Sequence, residues 1–218
     1  MARRSPKKPG HPPENPTENP FVPRKASLQK LQLAAKDCKN CDLWKRSTQT
    51  VFGEGEASAK IMFVGEQPGN QEDLEGRPFV GPAGQLLDKL LVEAGVDRRK
   101  VYVTNAVKHF KWEPRGKRRI HKKPNSAEIA ACKAWLEAEI ASIHPRVIVC
   151  LGATAAQALL GRDFRVTQHR GELLDSELAP YVMATVHPSS ILRAPDETTR
   201  HEEIRRFVEE MRKIAPLL

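Results

Sequence analysis

From Lys108 to Pro124 the chain reads KHFKWEPRGKRRIHKKP, a run in which Lys117, Arg118, Arg119, Lys122 and Lys123 surround one histidine, His121. Clustered cations of this kind contact phosphates and set register. An imidazole among them is a different tool, because a neutral ring offers a free lone pair as base or nucleophile. Like charges around it lower its pKa and preserve the neutral fraction. Three other polar residues, Glu66, Asn105 and His187, stand at or just beyond the ends of short apolar runs. A carboxylate can steady developing positive charge, an amide can donate and accept together, and an imidazole can donate to a developing anion.

Four cysteines supply a second kind of chemistry. Cys38 and Cys41 form a C-x-x-C pair, Cys132 falls in an expected helix and Cys150 in an expected strand. Such a pair serves zinc or redox chemistry equally, and lone cysteines are often small core residues. Four thiols also suit one tetrahedral set, for an iron–sulfur cubane or structural zinc. A second pair spread over a helix and a strand is no zinc knuckle, which favours a cluster.

The elements that must position these groups are legible from periodicity. KIMFVGE, KVYVTNAVK, RVIVCLG and YVMATVHP are short apolar runs bounded by turn residues, as buried strands are. Between and around them, SLQKLQLAAKD (capped by Ser27), AGQLLDKLLVEAGV, SAEIAACKAWLEAEIASI (opened by Ser126), ATAAQALLG and ETTRHEEIRRFVEEMRKIA predict helices. The alternation predicts a three-layer α/β/α sandwich around a central, mainly parallel four-stranded sheet, with ligands at the carboxyl ends of its strands. Glu66, Asn105 and His187 share that edge. Residues 1–26, rich in Pro, Lys, Arg and Asn, are expected to be a disordered basic tail before a single domain over 27–218.

The 218 residues carry a formal charge of +9 and a pI near 9.5, which favours a polyanionic partner. No run of about 18 apolar residues and no signal-peptide core occurs, so the expected location is cytoplasmic, without a membrane partner. A monomer is expected.

In combination the motifs become specific. VGEQPGNQEDLEGRPFVGPAGQLLDKLL resembles the first motif of the family 4 uracil-DNA glycosylases, TNAVK their second, and HPSSILR the loop after their last strand. The resemblance spans about residues 28–215, and the cysteine arrangement resembles that family's [4Fe–4S] set. Two departures, Gln67 after Glu66 and the lengthened basic stretch ending KRRIH, which its charge marks as a solvated loop, resemble the UdgX branch, whose members become covalently joined to uracil-containing DNA.

This resemblance implies a site residue by residue. A flipped uracil would stack on Phe79, pair with the Asn105 amide, and receive a hydrogen bond from His187 at O2. Glu66 would stabilise the oxocarbenium-like sugar and His121 would attack C1′, in a single turnover. Gln67 would orient Glu66 or contact the uracil, and Asp73 would anchor the motif loop. Arg119 would bind a phosphate or the base-binding loop, with Lys117, Arg118 and Ser189 in support. Cys38, Cys41, Cys132 and Cys150 would hold the cluster, with structural zinc as the alternative. The expected partner is uracil-containing DNA, especially single-stranded. The bland readings are a core Phe79, a turn Asn105 and a capping His187. A conventional multiple-turnover glycosylase is the alternative function, and a non-catalytic iron–sulfur DNA-binding module the second.

Overall fold

A computed structural model describes residues 19–218. Its strands are β1 (Ile61–Gly65), β2 (Val101–Asn105), β3 (Trp112–Arg115), β4 (Arg118–His121), β5 (Val147–Leu151), β6 (Leu173–Ser176) and β7 (Ala179–Thr185). Its helices are α1 (Leu28–Ala35), α2 (Asn70–Glu75), α3 (Pro82–Glu93), α4 (Ser126–Ile143), α5 (Ala153–Leu160), α6 (Val166–His169), α7 (Pro188–Leu192) and α8 (Glu197–Ile214). The main sheet runs β2-β1-β5-β7-β6, parallel except where β6 pairs antiparallel with β7.

The expected sheet of four strands therefore gains a fifth. β6 is four residues long, half-exposed and on an edge, so it lacks the continuous apolar run that marks its buried neighbours. The four parallel strands are buried along most of their length because helices cover both faces. Ile61, Phe63, Val101, Val103, Val147 and Val149 point to one side, against Leu87, Leu91, Phe207 and Met211 of α3 and α8. Met62, Val64, Tyr102, Ile148 and Cys150 point to the other, against Leu136, Ile140 and Ala155 of α4 and α5. This alternation is the period of two that a strand imposes.

Local chemistry sets the ends of the helices. Ser27 accepts from the Lys30 N–H at 3.5 Å to start α1. α4 starts from Asn125 rather than Ser126. Asn125 Oδ1 accepts from the Glu128 N–H at 2.9 Å, and Glu128 Oε2 accepts from the Asn125 N–H at 2.7 Å, a reciprocal capping box. Of the tail expected over residues 1–26, residues 1–18 lie outside the described residues. Asn19 is buried and donates to the Ala131 carbonyl at 3.1 Å, and Phe21 and Val22 pack beside Trp135.

The basic segment is a β-hairpin, not the loop expected from its charge. β3 and β4 pair in the register Trp112↔His121 to Arg115↔Arg118, joined by Gly116 and Lys117. Gly116 sits at φ 58°, the left-handed turn position a two-residue hairpin needs and a side chain resists. Pro114 is tolerated because this ribbon has only two strands, both edges. Pairing with Trp112 places His121 at the base of the ribbon, against the main sheet.

Candidate active site

A cleft of about 1110 Å³ opens at the carboxyl ends of β1, β2, β5 and β7. Glu66, Gln67, Phe79, Asn105, His121, His187 and Ser189 all line it, so the strand-end residues and the hairpin histidine converge on one space. Asp73, Lys117, Arg118 and Arg119 lie outside that lining.

Asn105 ends β2, and Gly65 ends β1 beside it. A Cβ on Gly65 would come within 2.3 Å of Asn105 Oδ1 and 2.8 Å of Phe79 Cζ, so the absent side chain is what lets amide and ring pack together. Phe79 holds φ 57°, a costly conformation for an aromatic residue. Its carbonyl lies 1.7 Å from where a Gly84 Cβ would stand, and its ring stacks on His187 at 6.2 Å and 23°. The main chain is thus bent to present the ring face to the cleft.

His187 follows β7 and caps α7. Its Nδ1 accepts from the Ser189 N–H at 3.1 Å and lies 2.8 Å from the Ser189 hydroxyl. A backbone N–H can only donate, so Nδ1 is unprotonated and the proton of the neutral ring resides on Nε2. Burial holds the His187 pKa at about 4, helped by Arg193 and His121. The capping histidine is therefore also a neutral N–H donor, and Ser189 fixes its tautomer.

His121 is half-exposed, and its Nε2 lies 3.5 Å from Glu66 Oε1, an ion-pair spacing longer than a good hydrogen bond. Its pKa is lowered chiefly by burial, with Glu66 pulling it up and Arg193 down. The like charge that acts on it thus comes from the end of α7, not from the hairpin cations expected to do so. Lys117 and Arg118 are exposed at the ribbon tip, while Lys122 pairs with Glu113 at 2.9 Å.

The remaining residues turn towards the hairpin. Gln67 Nε2 donates to the Lys111 and Lys122 carbonyls at 3.2 and 3.0 Å, and its Oε1 accepts from the Lys111 N–H at 3.1 Å. Both amide donors are occupied in clasping the two arms of the ribbon, rather than orienting Glu66. Arg119 donates to Asp73 at 2.6 Å and to Asn70 at 2.7 Å, with its guanidinium over the rings of Phe110 and Trp112. Asp73, fully buried, also accepts from the Thr48 N–H at 2.9 Å. Arg119 is thus tied to Asn70 and Asp73 of α2. Arg119→Ala should cost about 1.5–3 kcal/mol, the range for hydrogen bonds to charged groups, read by urea denaturation. Arg119→Lys should restore little, because a point charge cannot span both acceptors.

Among the cleft residues that the sequence did not single out are Thr154, Leu192 and Arg193. Thr154 donates to Glu66 Oε2. Leu192 is exposed at the rim, and Arg193 follows α7. Each sits in a run whose apolar or helical pattern hid it.

The cysteines divide. Cys38 and Cys132 are buried in one cluster around Trp135, with Cys41 packed against it, and they receive N–H donors. Trp135 Nε1 donates to Cys38 Sγ and the Lys108 N–H to Cys132 Sγ, both at 3.2 Å. Cys150 belongs instead to the core between the sheet and α4 and α5, where burial alone pushes its thiol up to about 12. The set of four expected as cluster ligands is therefore not assembled. Among the described residues no three His, Cys, Asp or Glu side chains converge at metal-binding spacing. No helix among them is long and apolar enough to cross a membrane.

Residues 52–212 match the Uracil DNA glycosylase superfamily. The chain is 41% identical over 186 residues to a type-4 uracil-DNA glycosylase of Thermotoga maritima, covering 85% of this chain and 91% of the relative. It is 37% identical over 183 residues to the type-4 uracil-DNA glycosylase of Archaeoglobus fulgidus, covering 81% and 88%. Identity falls to 30% over 185 residues, covering 75% and 76%, with a type-5 uracil-DNA glycosylase of Pyrobaculum aerophilum. The motif-bearing strand ends and the matches over most of both chains agree: the chain belongs to the uracil DNA glycosylase superfamily, in its type-4 family.

Proposed function

We propose that this chain excises uracil from DNA and that His121 then captures the sugar, leaving protein and DNA covalently joined. The observation that carries the capture is that His121 enters the same cleft as Phe79, Asn105 and His187 and faces Glu66. A uracil turned out of the DNA stack lies on Phe79 with its O4 and N3–H edge against the Asn105 amide, whose paired donor and acceptor suit uracil and oppose cytosine. The C1′–N1 bond breaks with its electron pair passing into the base. His187 Nε2–H donates to O2 as that charge builds, and Glu66 offsets the positive charge on the sugar. The lone pair of the neutral His121 ring then forms an N–C1′ bond, giving an imidazolium beside Glu66. Release would need water at the same carbon, so one turnover is expected.

The comparisons favour the alternative, since the relatives carry the name of glycosylase without mention of capture. In that reading water attacks C1′ and His121 contacts phosphate. Mixing the protein with single-stranded uracil-containing DNA and running a denaturing gel separates the two. A shifted band that survives denaturation supports capture. Free abasic DNA in excess of protein ends it and leaves the conventional enzyme.

An iron–sulfur cluster in this chain would draw on Cys38, Cys41 and Cys132, the thiols grouped around Trp135, with a fourth ligand other than Cys150. It is assigned no step in the reaction. Cys150→Ala should keep the iron and sulfide content and visible absorption of the parent, whereas Cys132→Ser should lose them. Loss in Cys150→Ala refutes the division.

A further inference from the structure

We propose that Thr154 is a positioning residue that holds Glu66 by Oε2 and so presents Oε1 to His121. The inference rests on the proposed parts of Glu66 and His121, and deepens them. Glu66 follows β1, and α5 follows β5, the strand beside it. Gly152 joins β5 to α5 at φ 90°, with the place of its missing Cβ 3.3 Å from His187 Cβ, so the chain turns sharply and brings the start of α5 into the cleft. There the buried Thr154 hydroxyl donates to Glu66 Oε2, while Oε1 lies 3.5 Å from His121 Nε2.

Each carboxylate oxygen thus has its own neighbour. A hydroxyl donor takes part of the negative charge and fixes the plane of the group. Without it, the carboxylate can rotate, and the nearest remaining partner for its charge is the imidazole. Facing that imidazole are Glu66 from the end of β1, His187 ahead of α7 and Arg193 after it, with Lys123 beyond the hairpin in the same cleft. Glu72 also lines the cleft, but its two oxygens are taken by the Gly69 and Gly81 N–H groups, so Glu66 is the negative charge that acts on His121 and its orientation governs how readily the ring takes a proton.

The test uses the full chain with Thr154→Val, which keeps shape and removes the donor, and Thr154→Ser, which keeps the donor. In the free protein, NMR titration of His121 should move upward in Thr154→Val by on the order of half a pH unit or more, and Thr154→Ser should restore the parent midpoint. Single-turnover uracil release should slow about 10-fold or more in Thr154→Val, with binding to uncleavable uracil DNA unchanged. On a Glu66→Gln background Thr154→Val should add little. Unchanged titration and release, a Thr154→Ser variant no better than Thr154→Val, or losses that multiply with Glu66→Gln would overturn the assignment. The proposed function fails separately: a parent chain that releases product without a covalent band, or releases none, sinks that reading. The His121 titration still judges the Thr154 contact.

Discussion

His121→Gly should abolish the denaturation-resistant protein–DNA band and release free uracil and abasic DNA over many turnovers. The cleft that stacks and reads the base is built from Phe79, Asn105 and His187, none of which the substitution touches. Glu66 keeps Thr154 as its partner. What is lost is the neutral imidazole beside the carboxylate, and the vacated volume admits water to the same face. Excision should therefore persist while the covalent product is lost, because the nitrogen that would bond to C1′ is gone. In the parent, adduct formation should also fail in acid. Burial lowers the His121 pKa, so the ring stays neutral at pH 7 and the decline sets in below the ordinary imidazole value of about 6.5. The acid decline should vanish in His121→Gly if protonation of this ring causes it. A variant that behaves as the parent except for weaker DNA binding would place His121 on a phosphate, as in the conventional reading.

How much of this could be read from the chain depends on which force placed each residue. β1, β2, β5 and β7 are legible because burial on two faces demands apolar residues at nearly every position, and their ends carry Glu66, Asn105 and His187 to one edge by topology alone. The hairpin was hidden because its pairing is satisfied by backbone, Gly116 and a guanidinium stack, while its side chains read as a charge run. Arg119 illustrates the cost of reading charge without partners. Among Lys117, Arg118, Lys122 and Lys123 it reads as a contact to a phosphate or to the base-binding loop, and its charge alone does not point to Asp73, 46 residues away in sequence, which it meets. Cys150 shows the converse error, since a count of four thiols implied one set, but strand alternation turns that side chain into the sheet's other core. Thr154 lies in an unremarkable ATAA stretch, and only the crossover from β5 to α5 sets it against Glu66.

The same separation of positioning from stability can be tested at Lys108 and Glu139, whose side chains are 1% and 0% exposed. Lys108 Nζ donates to Glu139 Oε2 at 2.5 Å, to Thr104 Oγ1 at 2.6 Å and to the Asn105 carbonyl at 2.7 Å. Glu139 Oε1 accepts from the Tyr102 hydroxyl at 2.9 Å and the Gly53 N–H at 3.1 Å. Burial and the Glu139 charge push the Tyr102 phenol far up, so it remains a donor. Removing one partner strands the other charge in a dry core, and Glu139→Leu should therefore destabilise by about 3–5 kcal/mol, read by urea denaturation. Lys108→Met should cost a similar amount. Replacing both leaves no buried charge, so Lys108→Met with Glu139→Leu should regain much of the loss. Uracil excision should not recover with it. Lys108 also grips the main chain at Asn105, and an apolar side chain cannot replace a donor to that carbonyl, so the amide that reads the base is left less well fixed. The double variant should fold and bind DNA through its surface cations, yet excise uracil at least about 10-fold more slowly than the parent. Recovery of stability and excision together would mean that the pair serves the core alone.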